Sequence, residues 1–514
     1  MPFLETLDEP RHGRAVRVPY CRVPPERASM CDAGDGIGRS PGGGPLGAVS
    51  FLCVIHWILS PTHTPRGEAF MPNSPSVDGI SGRHRKSRTL SPALRRAAVV
   101  AVTAPVAGTI LFGGSAFAAG QTVGTTTAAT LDPAEQKIAD NLDTRVQDTR
   151  LGSTFSGVVI DSTSKTPIWG HDATTALMPA SNTKLGTSTA ALTILGPDHR
   201  FTTKVVYDSG TLTLVGGGDR TLTTADLTAM ATTAVAGLKN AGLTTVKVTV
   251  DDSLFPEPTL ATGWNDGYYP DSIAPVRALV VDGRHVTDTS LDAGQIFAKL
   301  IARQGVTVTG SVTHATAGTG AVPVAQHESA ALSTIVEHML KVSDNDIAET
   351  LLRMTALAAG RPATFEDGTA VVRQVLTQYG VSLANFEIHD GSGLSRSNRI
   401  PAQTIADILD VADDPANAPT LKYIVDGLPV AGEAGSTLGP EWGRFDTADS
   451  QCAVGKVSAK TGTLTGAIAL SGLTKAEDGR WKIFSFIENN STAAPDATKD
   501  ALDGLAATVN GCWA

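Results

Sequence analysis

Cysteine is scarce and poorly placed for a metal centre. The 514 residues hold five: Cys21, Cys31 and Cys53 early in the chain, and Cys452 and Cys512 near its end. No Cys/His cluster has metal-ligand spacing, the zinc signature H-E-x-x-H is missing and the 11 histidines are scattered. No metal and no other cofactor is therefore expected. The phosphate-binding pattern G-x-x-x-x-G-K-[ST] is missing too, and Gly216-Gly217-Gly218-Asp219 reads as a turn without a dinucleotide-binding surround. Basic charge is not in excess: residues 1–118 hold 13 Lys+Arg and 8 Asp+Glu, leaving 28 and 43 downstream, a net charge of −15 there. That balance argues against a nucleic-acid partner. The esterase elbow G-x-S-x-G fails at Ser392, because Asp390 and Leu394 stand where its glycines belong; this stretch reads as a loop near a cleft. No apolar run reaches the roughly 20 residues that span a bilayer, and no internal repeat is visible.

What is present is the composition of a soluble globular protein of more than one folded unit: 41% hydrophobic and 18% charged residues over a length that exceeds one core. Arg83, Arg85, Lys86, Arg88, Arg95 and Arg96 precede an apolar run from Ala97 to Phe112 that ends in Ser115-Ala116-Phe117-Ala118-Ala119. This is the three-part pattern of a secretory signal, with cleavage near Ala118. It predicts export to the extracellular or cell-wall space, with membrane association at most peripheral or through an uncleaved signal. Signals open a chain, so the true start is expected at Met71. Residues 1–70 are then a mis-assigned start or a disordered extension, residues 71–118 the signal, and 119–131 a linker. Cys452 and Cys512 are the cysteines left after cleavage, and in an oxidising compartment they are expected to pair.

Asp132-Pro133-Ala134-Glu135 carries an N-cap, a proline at the first helical position and a reciprocal glutamate, so a helix starts there. Gly157 to Asp161 and Pro167 to Gly170 read as paired strands, and a buried helix is expected to begin at Ser181 and run through Ala190-Ala191-Leu192. From about Thr202 short β-like runs take over, with one helix near Leu227 to Lys239, until helical periodicity resumes at Ile335 to Leu340. The reading is an α+β chain in which residues 204–322 are inserted between 132–203 and 323–514. Ile468 to Leu473 and Lys482 to Ile487 read as adjacent antiparallel strands, followed by a C-terminal helix.

Three short motifs follow in order: Ser181-x-x-Lys184, Ser343-Asp344-Asn345 and Lys460-Thr461-Gly462. Three residues apart on a helix, Lys184 can approach the Ser181 hydroxyl. Burial and a second cation would depress its pKa until it accepts the serine proton. Free N–H groups at the helix start favour an oxyanion, and the Ser181 and Thr463 N–H groups are the expected donors. Ser343 offers a hydroxyl to relay a proton to a departing amine, and Asn345 a donor and an acceptor for a peptide bond. Asp344 stands outside the direct chemistry. Lys460, Thr461 and Thr463 supply a cation and hydroxyls for a carboxylate, and Gly462 lets the backbone approach a substrate.

With these motifs the sequence resembles the class C, low-molecular-mass penicillin-binding proteins, the serine D-Ala-D-Ala carboxypeptidase/endopeptidases. The likeness extends to MPASNTKL (Met178 to Leu185), LGPDHRF (Leu195 to Phe201), GGGDRTL (Gly216 to Leu222), SDNDIAETLLR (Ser343 to Arg353), DGSGLSR (Asp390 to Arg396), LPVAG (Leu428 to Gly432) and AKTGTLTG (Ala459 to Gly466). It implies a transpeptidase/β-lactamase-like catalytic domain, an antiparallel sheet flanked by helices, interrupted by one or two inserted domains. It also implies that Ser181 is acylated by a peptidoglycan stem peptide ending in D-Ala-D-Ala, with loss of the terminal D-Ala, and by β-lactams as covalent inhibitors. The chain departs from the family at Arg220, where GGGDPTL has proline, which bears on a loop outside the triplet. Two rivals share the acylation chemistry: a β-lactamase, for which no E-x-x-L-N-like sequence follows Asn345, and a β-lactam-sensing or wall-binding protein that does not turn over.

Overall fold

The structure, a computed structural model, describes residues 131–512. The expected signal, the upstream segment and the linker to residue 130 lie outside the described residues. The first helix, α1 (Pro133–Arg145), starts as its sequence requires: Asp132 accepts from the N–H groups of Ala134 and Glu135, both at 2.9 Å, and Glu135 accepts from the Asp132 N–H at 3.2 Å. Strands β1 (Phe155–Asp161) and β2 (Pro167–His171) pair antiparallel, and a 3₁₀ turn at Ala180–Asn182 leads into α2 (Thr183–Leu195).

The chain then builds a second sheet from β3 (Thr202–Asp208), β4 (Thr211–Val215), α3 (Thr224–Asn240), β5 (Thr245–Asp251), α4 (Thr289–Arg303) and β6 (Val322–Glu328). β3 pairs antiparallel with β4 and β6, whereas β4 and β5, joined through α3, run parallel as a helical crossover demands. Its core sets Leu212, Leu214, Val246 and Val248 against Leu227, Ala231 and Phe297. This sheet begins at Thr202 and runs on to Glu328; β6 (VPVAQHE) is half-exposed and holds a proline, so it has no clean alternation by which to be read. The stretch between β5 and α4 leaves the second sheet. Phe255, Trp264, Ile273 and Val276 join the core of α2 and the helices that follow, and the Ser272 carbonyl accepts from Asn345 Nδ2 at 3.1 Å.

Those helices are α5 (Leu332–Val342), α6 (Asn345–Ala358), α7 (Phe365–Gln378), α8 (Ala402–Asp413) and α9 (Ala418–Asp426), and the chain closes with β7 (Val457–Leu464), β8 (Ala467–Lys475), β9 (Trp481–Asn489) and α10 (Pro495–Asn510). The five-stranded sheet has the order β7-β8-β9-β1-β2, antiparallel throughout. The architecture is the expected α+β one. β8 and β9 are buried at almost every position because both faces are covered. The period of two sorts the faces: Ala469, Leu473, Ile483 and Ile487 face one core with α2 and α8, while Ile468, Leu470, Phe484 and Phe486 face another with α1 and α10. Among the described residues, no helix is long and apolar enough to cross a membrane.

Polar groups lock the sheet's open end. Lys482, fully buried, donates to Asp161 at 2.5 Å and Glu135 at 3.3 Å, and Asp478 stands 2.9 Å away. On α10, the buried Asp503 receives two bonds from the Arg444 guanidinium and the Phe445 N–H at 3.0 Å. Asp503→Ala leaves the Arg444 charge buried and unpaired, so chemical denaturation is expected to show a loss of about 3–5 kcal/mol. A loss below about 1 kcal/mol would mean that water reaches Arg444. Cys452 and Cys512 stand with sulfurs 2.18 Å apart and Cα atoms 6.0 Å apart, joining the end of α10 to the approach to β7.

Candidate active site

The three motifs sit on three different elements and converge. Ser181 lies in the 3₁₀ turn, and the α-helix starts at Thr183 rather than at Ser181. The residue before the serine, Ala180, has φ 47°, and this left-handed step stops the helical run from extending back beyond the Ser181 turn. Ser343 ends α5 at φ 62°, again left-handed, and turns the chain so that Asp344 caps α6 through the Ile347 N–H at 2.8 Å. Asn345 is thus fixed on the first turn of α6. Lys460 to Thr463 lie on β7, the edge strand.

Two glycines permit the convergence. A Cβ on Gly462 would stand 2.8 Å from the Pro179 carbonyl oxygen, so β7 closes on the Ser181 turn only as glycine. At Gly393, φ is 87° and a Cβ would lie 1.9 Å from the Ala180 oxygen. Gly393→Ala is expected to push the Ser181 turn aside and to slow acylation about 10²-fold, the cost of misplacing a reacting group by about 1 Å. Stopped-flow acylation with a fluorescent penicillin checks this, and a rate within threefold of the parent would show that the loop gives way instead.

Lys184 is fully buried, and its Nζ donates to Ser181 Oγ at 2.9 Å, Asn345 Oδ1 at 2.8 Å and the Ser392 carbonyl at 2.7 Å. Lys460, also fully buried, donates to Ser343 Oγ at 2.9 Å and the Thr461 carbonyl at 2.8 Å. Among the described residues neither ammonium has a carboxylate within ion-pair distance, so all of these partners are neutral. Burial lowers Lys184 to about 8, against the pull of the Asp390, Asp344, Glu349 and Asp346 carboxylates. Lys460 is driven well down by burial and then by the Lys184 charge. Two such groups, one beside each serine, are the arrangement that makes a hydroxyl a nucleophile and keeps a second hydroxyl ready to pass a proton.

A cavity of about 250 Å³ is lined by Ser181, Ser343, Asn345, Thr461 and Thr463. Every residue singled out from the motifs either lines it or bonds to one that does, except Gly462, which lies against the turn, and Asp344, which caps α6. Cys452 and Cys512 stand apart from it. The sequence reading missed three sets of residues. Thr437 accepts from the Thr461 hydroxyl at 2.8 Å, and Trp442 and Lys499 carry the wall further; a loop and a C-terminal helix offer no local signal for this. Glu349 and Ser392 lie within the quoted stretches SDNDIAETLLR and DGSGLSR, which were the available signal. Arg220, the departure from the family form, is buried with Asp346, next to Asn345: Arg220 Nη2 stands 2.6 Å from Asp346 Oδ1, and His285 meets the other oxygen at 2.9 Å. The loop therefore stays closed with a cation in place of a ring.

The chain is similar to known proteins. The sequence model of the D-Ala-D-Ala carboxypeptidase 3 (S13) family matches residues 138–289 and 282–509. Carboxypeptidase DacB of Mycolicibacterium smegmatis is 33% identical over 383 residues, which cover 70% of this chain and 80% of that one. The D-alanyl-D-alanine carboxypeptidase of an Actinomadura species is 30% identical over 468 residues, covering 71% and 84%. In fold, the crystal structure of penicillin binding protein 4 from Haemophilus influenzae superposes with TM-score 0.61 at 22% identity, over 71% of this chain and 97% of that one. The chain belongs to the D-Ala-D-Ala carboxypeptidase 3 (S13) family and is a serine-type carboxypeptidase of the low-molecular-mass penicillin-binding kind.

Proposed function

We propose that Ser181 is the nucleophile and Lys184 its base in trimming peptidoglycan stem peptides that end in D-Ala-D-Ala. The observation that carries this reading is the 2.9 Å bond between Lys184 Nζ and Ser181 Oγ, made by a buried lysine at the floor of an open cavity. Ser181 Oγ attacks the carbonyl carbon of the penultimate D-Ala, and its proton passes to neutral Lys184. The Ser181 and Thr463 N–H groups receive the oxyanion. As the C–N bond breaks, the Ser343 hydroxyl hands a proton to the leaving amine and is refilled from Lys460, its 2.9 Å neighbour. Asn345 holds the peptide, and Thr461 and Thr463 take the terminal carboxylate beside Lys460. Water then attacks the acyl-enzyme and gives its proton through Ser343 back to Lys460, while Lys184 returns its proton to Ser181 Oγ as the shortened peptide leaves.

A β-lactam enters the same path, but its amine stays tethered. Among the described residues that line the cavity there is no carboxylate to activate a deacylating water, which favours slow deacylation, and so inhibition, over a β-lactamase. The signal pattern and the Cys452–Cys512 contact support a further point: an exported enzyme that works in the cell-wall space with that pair as a disulfide, its catalytic part formed by residues 132–201 and 329–514 with the stretch from Phe255 to Val276 packed onto it. Free D-Ala, assayed after mixing with a peptide ending in D-Ala-D-Ala, is expected to appear and to stop after benzylpenicillin treatment. A penicilloyl adduct with no D-Ala release would favour the sensor, and an adduct shed within seconds the β-lactamase.

A further inference from the structure

Beneath Lys184 lies a buried carboxylate that the mechanism above does not use. Glu349 is fully buried on α6, four residues after Asn345 and so on the same face. Its Oε1 accepts from the Gly391 N–H at 3.0 Å and the Ser392 N–H at 2.7 Å. The Ser392 carbonyl is one of the three groups that hold Lys184 Nζ. Two hydrogen bonds therefore join Glu349 to the lysine through a single residue.

The loop has no freedom to do without this clamp. A Cβ on Gly391 would stand 2.9 Å from the Ala348 oxygen, and one on Gly393 would collide with Ala180, so residues 391–393 are wedged between α6 and the Ser181 turn. Asp390 ties the rest of the loop, accepting from the Trp264 indole at 2.8 Å, Asn398 Nδ2 at 2.7 Å and the Ser395 N–H at 2.6 Å. An amide would accept the same two N–H bonds as Glu349 without the cost of burying a charge. The carboxylate is poorly compensated as well: Oε2 has no hydrogen bond, with Arg353 Nη1 at 3.5 Å and that guanidinium stacked over Phe365. The carboxylate is the ion-pair partner of the buried Arg353, and the same charge lies beside the base, where it has a chemical use.

We propose that Glu349 is a positioning residue for Lys184: it clamps the Ser392 carbonyl against the lysine and, when ionised, stabilises the lysine's protonated form. This rests on Lys184 being the base. The charged groups around the pair are Arg353 on the Glu349 helix, Asp390 on the loop, Asp344 and Asp346 at the start of α6, and Lys460 on β7. Burial first, then the Asp390 charge, brings Glu349 itself up to about 7, so its charge changes within the working range.

The test is the pH dependence of acylation by benzylpenicillin in Glu349→Gln, Glu349→Asp and the parent. The glutamine keeps an oxygen for both N–H groups and loses the charge. Its acid limb is expected to move about one pH unit lower, because Lys184 loses a stabilising neighbour. The aspartate keeps the charge but draws it back, so its limb is expected to stay in place while the rate falls about tenfold. A glutamine limb unmoved from the parent, or, where that variant does not fold, an aspartate variant as fast as the parent, overturns the proposal. If the parent itself shows no acid limb, the assignment of Lys184 fails first, and the two failures are told apart.

Discussion

Ser181→Ala is expected to abolish both the penicilloyl adduct and D-Ala release, lowering kcat on the order of 10⁶-fold, as loss of the nucleophile does in other serine hydrolases. Ser181 sits between the positive end of α2 and the Lys184 amine. With the hydroxyl gone, neither Ser343 nor Thr461 can replace it: Ser343 is committed to Lys460 and Thr461 to Thr437. The fold should survive, since Ser181 is only partly buried and donates no bond that holds the turn. Circular dichroism and thermal melting of the variant separate lost chemistry from lost structure. Residual acylation above about 1% of the parent rate, on a folded variant, would place the nucleophile elsewhere.

Lys184→Ala is expected to lower acylation by about 10²–10⁴-fold, the range of a positioned general base and equivalent to about 2.7–5.5 kcal/mol of barrier. The parent's pH dependence gives the matching signature. A base must be neutral to accept a proton, and burial sets Lys184 near 8. Acylation should therefore rise with pH up to about 8 and fall towards tenfold per unit below it. Removing Lys184 removes that limb. A variant that loses rate but keeps the limb would mean that another group, Lys460 being the nearest, supplies the base.

Much of this was legible in the sequence, for local reasons. The capping box at Asp132, the strand pair after Ile468 and the Ser-x-x-Lys spacing are local patterns with one physical solution. Lys184 reaches Ser181 because three residues on a first helical turn permit it, even though the α-helix begins two residues later than expected. What stayed hidden is long-range. Ser392 meets Lys184 across 208 positions, and only the packed loop explains why SDNDIAETLLR and DGSGLSR belong with Ser181. Arg220 looked like a flaw in a turn; its partner, Asp346, lies far along the chain on α6. Strand β6, with Pro323 and a half-wet face, lacked the alternation by which strands are recognised.

The most direct test is to locate the acyl group. Cleavage after lysine and arginine gives a peptide from Thr166 to Lys184 that holds Ser181. After brief exposure to benzylpenicillin, peptide mapping of the parent should find the penicilloyl mass on that peptide alone, at one per chain, in a preparation that releases D-Ala from a D-Ala-D-Ala peptide before treatment and not after. Acylation on any other peptide, or none in a preparation that still releases D-Ala, would contradict the assignment of Ser181.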